Sequence, residues 1–250
     1  MQAYLTLVRR ELGSHFLGWS GYIVVAKVLF LLGLSFVSLL QLLNQEPTDL
    51  PVTELFYVSY YLWLILLLIA PVITMRSFAR EKSSGTFETL MTTPVGDVQV
   101  VLAKFTAAML FYTLMWLPML ACLLTVQRYS NTPGLLDAGT VVSTYLGIIL
   151  LGCVYVSMGC FASSLTRSQI IAAMVTFAGG ISLFLLSFLA KSWANGTGWR
   201  ASVFAYLGMI DHMHDFARGI VDLRPVVLYL SLCVLFLFLT CKALESRRWR

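Results

Sequence analysis

Residues 56–75 read FYVSYYLWLILLLIAPVITM, and the charged stretch RSFAREK of residues 76–82 follows at once. The first stretch contains no Asp, Glu, Lys or Arg. A helix needs about 20 apolar residues to cross a bilayer core of about 30 Å, so this stretch is long enough to cross. The adjoining stretch therefore predicts a polar loop at the membrane surface.

The composition extends this interpretation to the whole chain. Apolar residues make up 59% of the 250 residues and charged residues only 12%, against about 25% charged in soluble domains. We predict an all-α integral membrane protein, folded as a single transmembrane domain over 1–250 with no room for an ordinary soluble catalytic domain. Six apolar runs predict six transmembrane helices: 20–43, 56–75, 98–126, 140–164, 169–190 and 225–243.

The distribution of basic residues predicts the orientation. With the N-terminus in the cytoplasm, eleven Lys and Arg residues lie inside and five outside. This asymmetry favours cytoplasmic placement of both termini in a multi-pass plasma (bacterial inner) membrane protein. We therefore interpret the net charge of +5 through the positions of the basic residues relative to the membrane, and no nucleic-acid partner is predicted. The five outer residues are Arg128, Lys191, Arg200, Arg218 and Arg224.

The N-terminal residues 1–18 carry an amphipathic pattern. Tyr4, Val8, Leu12 and Phe16 recur every four residues, with Leu5 beside them. This spacing predicts a helix with one apolar side that lies in the inner membrane interface and contacts lipid. The alternative is a plain cytoplasmic extension of the first span.

Small residues mark the fourth and fifth spans. Because small side chains let helix backbones approach closely in lipid, we predict that both are packing helices. The residues expected at helix contacts are Gly147, Gly152, Gly159, Ala172 and Gly180.

Known catalytic patterns are missing from the sequence. It contains no GxxxxGK[ST], no HExxH and no GxSxG, so neither ATP binding by a P-loop nor common intramembrane hydrolysis is predicted. No Asp, Glu or His is expected at membrane depth, which argues against a proton-coupled transporter. In the outer segment 191–224, Asp211 with His214, or His212 with Asp215, would supply two metal ligands at most. An outer helix packed on the spans is the favoured interpretation, and we predict no metal or cofactor in this chain.

The cytoplasmic segment 76–97 is the most polar part of the sequence. Helix-compatible residues continue to Lys82, and Gly85 then offers a break with positive φ before a short helix with Phe87 and Leu90 on its apolar side. Thr93 and Pro94 suit the start of the next helix. We expect Glu81 and Glu88 on a wet inner surface.

This segment resembles the membrane subunits of ABC-2 type transporters, most closely the gliding-motility-associated branch. The resemblance rests on Pro71 to Arg76, then Ala79-Arg80-Glu81-Lys82, Gly85-Thr86-Phe87-Glu88-Thr89-Leu90 and Pro94. Residues 163–172 and 214–224 support it. The family pattern has a second acidic residue after Glu81, where this chain has Lys82 and Ser83.

The resemblance implies a non-catalytic permease subunit for ATP-driven export. It pairs in the membrane with a second permease subunit, identical or different, and with a separate cytoplasmic P-loop ATPase that binds ATP and Mg. The link between spans two and three would dock on this ATPase. The implied coupling residues are Arg80, Glu81, Gly85, Thr86, Phe87, Glu88, Leu90 and Pro94. The alternatives are a non-transporting component that does mechanical or scaffold work in motility or secretion, and a channel or enzyme of unfamiliar type.

Overall fold

The computed structural model describes residues 2–45, 52–58, 60–86, 96–129, 137–193 and 206–248. Helices account for nearly all of these residues, and the described part of the chain contains no strand. The helices are α1 Gln2–Phe16, α2 Trp19–Gln45, α3 Val52–Val58, α4 Tyr60–Thr74, α5 Ala79–Ser84, α6 Asp97–Tyr129, α7 Ala138–Leu165, α8 Gln169–Trp193, α9 Met209–Ala217 and α10 Leu223–Arg248.

Six helical segments within the described ranges are long and apolar enough to cross a membrane, which confirms the prediction of an all-α, multi-pass membrane protein. They agree with the predicted runs except at their ends. The largest difference is in the second run, predicted over 56–75: the span ends at Ser84, and residues 56–58 belong to the separate short helix α3. The spans are Gly21–Asn44, Tyr60–Ser84, Asp97–Tyr129, Ala138–Leu165, Gln169–Leu189 and Leu223–Ser246.

Helix α7 is the most buried of the six spans and lies against α4, α6, α8, α9 and α10. Three of its glycines lie at contacts with other helices. A Cβ at Gly152 would overlap the ring of Tyr112 on α6, and one at Gly159 would overlap Thr74 on α4. A Cβ at Gly147 would lie 2.8 Å from the Sδ of Met213 on α9. Only a residue without a side chain fits at these contacts.

Helix α8 meets α7 through residues of the predicted packing set. The hydroxyl of Tyr155 on α7 donates to the carbonyl of Gly180 at 3.3 Å, and a Cβ at Gly180 would lie 2.9 Å from the Tyr155 ring. Ala172 is fully buried. The opposite side of α8 is exposed and apolar, with Ile170 and Met174 outward, as suits contact with lipid.

The N-terminal helix α1 forms separately from α2, with a bend at residues 17–18. Its apolar stripe packs on α6 of the same chain. Val8 lies with Ala103 and Ala107, and the hydroxyl of Tyr4 donates to Thr106 Oγ1 at 2.9 Å. The stripe therefore has a protein partner that the sequence pattern alone did not identify.

The two ends of the helix bundle are formed by different elements. We call the end formed by α1, α5 and the first turns of α6 and α8 the Arg80 end. The opposite end, with α3 and α9, is the Glu54 end. There, Thr53 Oγ1 donates to the carbonyl of Ala217 at 2.8 Å, which joins α3 to α9.

Two histidines of α9 contact protein groups at the Glu54 end. His212 Nδ1 lies 3.1 Å from the Tyr229 hydroxyl, and His214 Nε2 lies 2.8 Å from Glu54 Oε1. Among the described residues, no three His, Cys, Asp or Glu side chains come together as a metal site. Helix α9 is thus packed on the spans at the Glu54 end.

Candidate coupling site at the Arg80 end

The polar segment that follows α4 folds as a turn and a short helix. Helix α4 ends at Thr74, a turn covers residues 75–78, and α5 runs from Ala79 to Ser84. Gly85 then adopts φ 74°, the left-handed conformation that ends α5. This is the positive φ expected for Gly85, and glycine adopts it without the steric cost of a Cβ.

Helix α5 takes its N-terminal cap from another helix. Ser163 Oγ on α7 accepts the backbone N–H groups of Phe78 and Ala79, each at 3.1 Å. The first N–H groups of a helix have no acceptor within the helix, so an outside oxygen stabilises its start. The ammonium of Lys82 also donates to the carbonyl of Ser164, at the end of α7. The start of α5 is thereby fixed to the fourth span.

Buried charges connect α5 to two more helices. Lys104 on α6 has a side chain only 3% exposed, and its Nζ lies 2.9 Å from Glu81 Oε1 and 3.1 Å from Glu11 Oε1. Arg10 Nη2 contacts the same two oxygens at 3.3 and 3.0 Å. The four residues form one network that joins α1, α5 and α6. We call Arg10, Glu11, Glu81 and Lys104 the charge network.

The network corrects the expectation that Glu81 lies on a wet surface. Its side chain is 17% exposed and is bound to Lys104 inside the chain. The sequence showed a basic residue early in the third span, and an Arg-Glu pair in the N-terminal helix. It did not show that these groups meet, because they are 93 residues apart and α1 must first dock on α6.

Burial and charge act in opposite directions on Glu11. Burial is the largest influence and favours the neutral acid, but Lys104 and Arg10 together outweigh it, and the pKa of Glu11 lies below its usual value. Glu11 is therefore ionised at neutral pH. The nearby His15 stacks on Phe111 with 5.1 Å between ring centroids. Burial lowers the pKa of His15, although Glu11 partly opposes this, so His15 is neutral at pH 7.

The outward side of the segment is polar and accessible. Arg80, Ser83, Ser84, Gly85 and Thr86 are all exposed. Ser83 Oγ donates to the carbonyl of Arg80 at 2.8 Å, a hydrogen bond within α5. The other predicted coupling residues, Phe87, Glu88, Leu90 and Pro94, lie outside the described residues.

The arrangement holds the polar segment to the rest of the bundle. The buried charged side chains bind one another between helices. The exposed groups lie on or next to α5, which is bound to α1, α6 and α7. The chain thus belongs to a class of multi-pass membrane proteins with a firmly held polar segment at one end.

The family follows from sequence comparison. The sequence profile described as ABC-2 family transporter protein matches residues 16–245, and the chain belongs to this family. Such proteins generally act as the non-catalytic permease component of an ABC transporter and work with an ABC ATPase component. No curated protein matches the chain by sequence similarity.

Proposed function

We propose that the chain is the permease subunit of an ATP-driven exporter and that a separate cytoplasmic P-loop ATPase docks at the Arg80 end. ATP and Mg would be bound by that ATPase. A second permease subunit, either a copy of this chain or a related one, would complete the membrane pathway. The family membership supports the general assignment, and the contacts of α5 support the docking position.

The observation that carries the proposal is the fixation of α5 by several helices at once. Ser163 holds its first turn from α7, and Lys104 holds Glu81 from α6. A loop that merely connected two spans would not need buried charges, which are costly unless paired. In this proposal Glu81 is a positioning residue. Glu88 and the exposed Thr86 are the groups that contact the ATPase.

The orientation is part of the same proposal. We infer a bacterial inner-membrane protein with both termini and the Arg80 end in the cytoplasm, because eleven basic residues then lie inside and five outside. Cysteine labelling from outside should reach positions 137 and 195 but not 84. Labelling of position 84 from outside would reverse the orientation and remove the proposed docking end from the ATPase.

The coupling experiment compares variants in the purified complex. The ATPase that co-purifies with the chain is identified by mass spectrometry, and its retention and ATP turnover are measured after reconstitution. We expect Glu88→Ala to lower ATPase affinity about tenfold, as the loss of one charge-assisted hydrogen bond would. Gly85→Ala should also reduce turnover, because a Cβ strains the left-handed backbone.

Two substitutions serve as controls in the coupling experiment. Glu46→Ala changes an acid in the link between the first two spans, and Gly33→Ala adds a methyl group that meets no heavy atom within 4 Å beyond the backbone of its own helix. Both should leave ATPase retention and turnover normal. Should Glu88→Ala and Gly85→Ala behave like these controls at equal membrane expression, the segment is an ordinary loop and the docking position is wrong.

The resemblance of the polar segment to the gliding-motility-associated branch, which rests on the sequence alone, supports an alternative function. ATP hydrolysis by the partner could drive mechanical work, with no molecule carried across the membrane. Substrate-stimulated ATP hydrolysis in liposomes separates the two functions, since an exporter is stimulated by its cargo. A complex whose ATPase responds to no added molecule, but only to further machinery proteins, would favour mechanical work.

A further inference from the structure

A cleft of about 680 Å³ opens at the Arg80 end between α1, α2, α4, α5 and α6. One part of its wall is charged and the other apolar. Val24, Val72, Ile73 and Phe111 form the apolar part. The charged part consists of Arg10, Arg76, Arg80, Lys104, Glu11 and Glu81.

The charges of the cleft favour an anion. Four cationic side chains line it against two carboxylates, which leaves a formal excess of two positive charges. Both carboxylates are already bound within the charge network by Lys104 and Arg10. His15 also lines the cleft and is neutral, so it adds no charge. Arginine suits a phosphate group because its planar guanidinium donates two parallel hydrogen bonds to it.

The aromatic residues of α2 indicate the depth of the cleft. Trp19 is 88% exposed and Tyr22 is 66% exposed, and Gly21 between them lines the cleft. Exposed Trp and Tyr at the start of a span are typical of the membrane–water interface. The charged wall is therefore at headgroup level. The apolar wall is made of residues from three spans: Val24 on α2, Val72 and Ile73 on α4, and Phe111 on α6.

We propose that this cleft binds the phosphate headgroup of an anionic membrane lipid. Arg76 and Arg80 receive the phosphate, and an acyl chain follows the apolar wall past Val72 and Phe111. Basic pockets between transmembrane helices on the cytoplasmic side recognise anionic lipid headgroups in this way. A soluble phosphate compound would also be attracted to the two arginines, but it would make no contact with the apolar wall. The site does not depend on the docking of an ATPase.

The test is competitive lipid binding to the purified chain in detergent. Phosphatidylglycerol and phosphatidylcholine are added in equal amounts, and native mass spectrometry measures the ratio of the two lipids retained. We expect the wild type to retain phosphatidylglycerol preferentially. Arg80→Gln should lower this preference about fivefold, in line with the contribution of one basic residue near a membrane surface. Arg80 is exposed, so the variant is expected to fold.

The controls distinguish the site from general attraction. Arg128→Gln removes an exposed charge at the opposite end and should leave the preference unchanged. An equal loss in Arg128→Gln, or no preference in the wild type, would overturn the proposal. Inorganic phosphate in excess tests the soluble source. If it displaces the lipid from the wild type and raises the melting temperature as much as phosphatidylglycerol does, the cleft takes a soluble anion and the lipid assignment is wrong.

Discussion

Arg218 binds Glu54 with two parallel hydrogen bonds across 164 positions of the chain. Its Nε donates to Glu54 Oε2 at 3.0 Å and its Nη2 donates to Oε1 at 2.9 Å. The carboxylate is almost fully buried, with a side chain 3% exposed. A buried carboxylate requires such a partner, because its ionised form loses the solvation of water. The pair fixes α9 to α3 at the Glu54 end.

We predict that Arg218→Gln destabilises the protein through this buried carboxylate. The melting temperature in detergent should fall by several degrees, whereas Arg128→Gln at the same end should change it little. The double variant Glu54→Gln with Arg218→Gln should recover part of the loss, because two neutral amides leave no buried charge. Strictly additive effects in this cycle would show that the pair contributes no coupling.

The glycines of α7 should tolerate no added methyl group. Gly152→Ala places a Cβ against Tyr112, and we expect a loss of about 1–3 kcal/mol, the usual cost of overpacking a core. Gly33→Ala is the matched control, since its Cβ meets no heavy atom within 4 Å beyond the backbone of its own helix and Ala favours a helix by about 0.5–1 kcal/mol over Gly. Thermal unfolding of both variants in detergent provides the comparison. Equal stability of the two would mean that α6 and α7 do not meet at Gly152.

Ser163→Ala should loosen α5 from the bundle. The substitution removes the acceptor of two buried N–H groups, and we expect a cost of about 1–3 kcal/mol. Ser231→Ala is the control, because the exposed Ser231 hydroxyl donates to the carbonyl of Leu228 in its own helix. Limited trypsin digestion gives a local measurement, with faster cleavage after Arg80 in Ser163→Ala alone. Unchanged cleavage would contradict the cap.

The lowered pKa of His15 predicts a loss of stability in mild acid. Above its usual pKa of 6.5, His15 is neutral in both the folded and the unfolded chain. As the pH falls below that value, the unfolded chain takes up a proton first, so the free energy of unfolding decreases. Lys104 and Arg76 act with burial against protonation, and Glu11 acts for it.

The test follows the melting temperature of wild type and His15→Gln between pH 7.5 and 5.5. We expect a smaller loss in the variant, because glutamine does not titrate. Glu11 should not contribute over this interval, since its pKa lies below 4.5. Burial also lowers the pKa of His212, so His212→Gln should remove a further part of the loss. A pH profile identical to wild type in both variants would contradict the burial of these histidines.

The sequence predicted the spans well because a membrane imposes a length and a composition on each one. Residues 169–190 were predicted as a run, and the structure has a span over Gln169–Leu189. The positive φ of Gly85 could also be predicted from the residues next to it, since a break between two helices favours glycine. Features of this kind depend on neighbours within a few residues.

Contacts between elements far apart in the sequence could not be predicted from it. Nothing local to Glu81 indicates that Lys104 and Arg10 bind it, and nothing near Glu54 indicates Arg218. Both pairings require helices that meet only after the bundle packs. The departure at Lys82 has a similar explanation, because its ammonium binds the carbonyl of Ser164 at the end of another span. The sequence shows the positive charge of Lys82 but does not show which carbonyl oxygen binds it.

The cap from Ser163 also has a consequence for biogenesis. Residues 78 and 79 leave the ribosome more than 80 positions before the serine whose hydroxyl accepts their N–H groups. Until the fourth span is inserted, the first turn of α5 can bond only to water, and Lys82 has no carbonyl of Ser164 to bind. The surface proposed for the ATPase is therefore completed late in synthesis. An ATPase that recognises this surface would bind chains with four inserted spans and ignore incomplete ones, which makes complex assembly a check on membrane insertion.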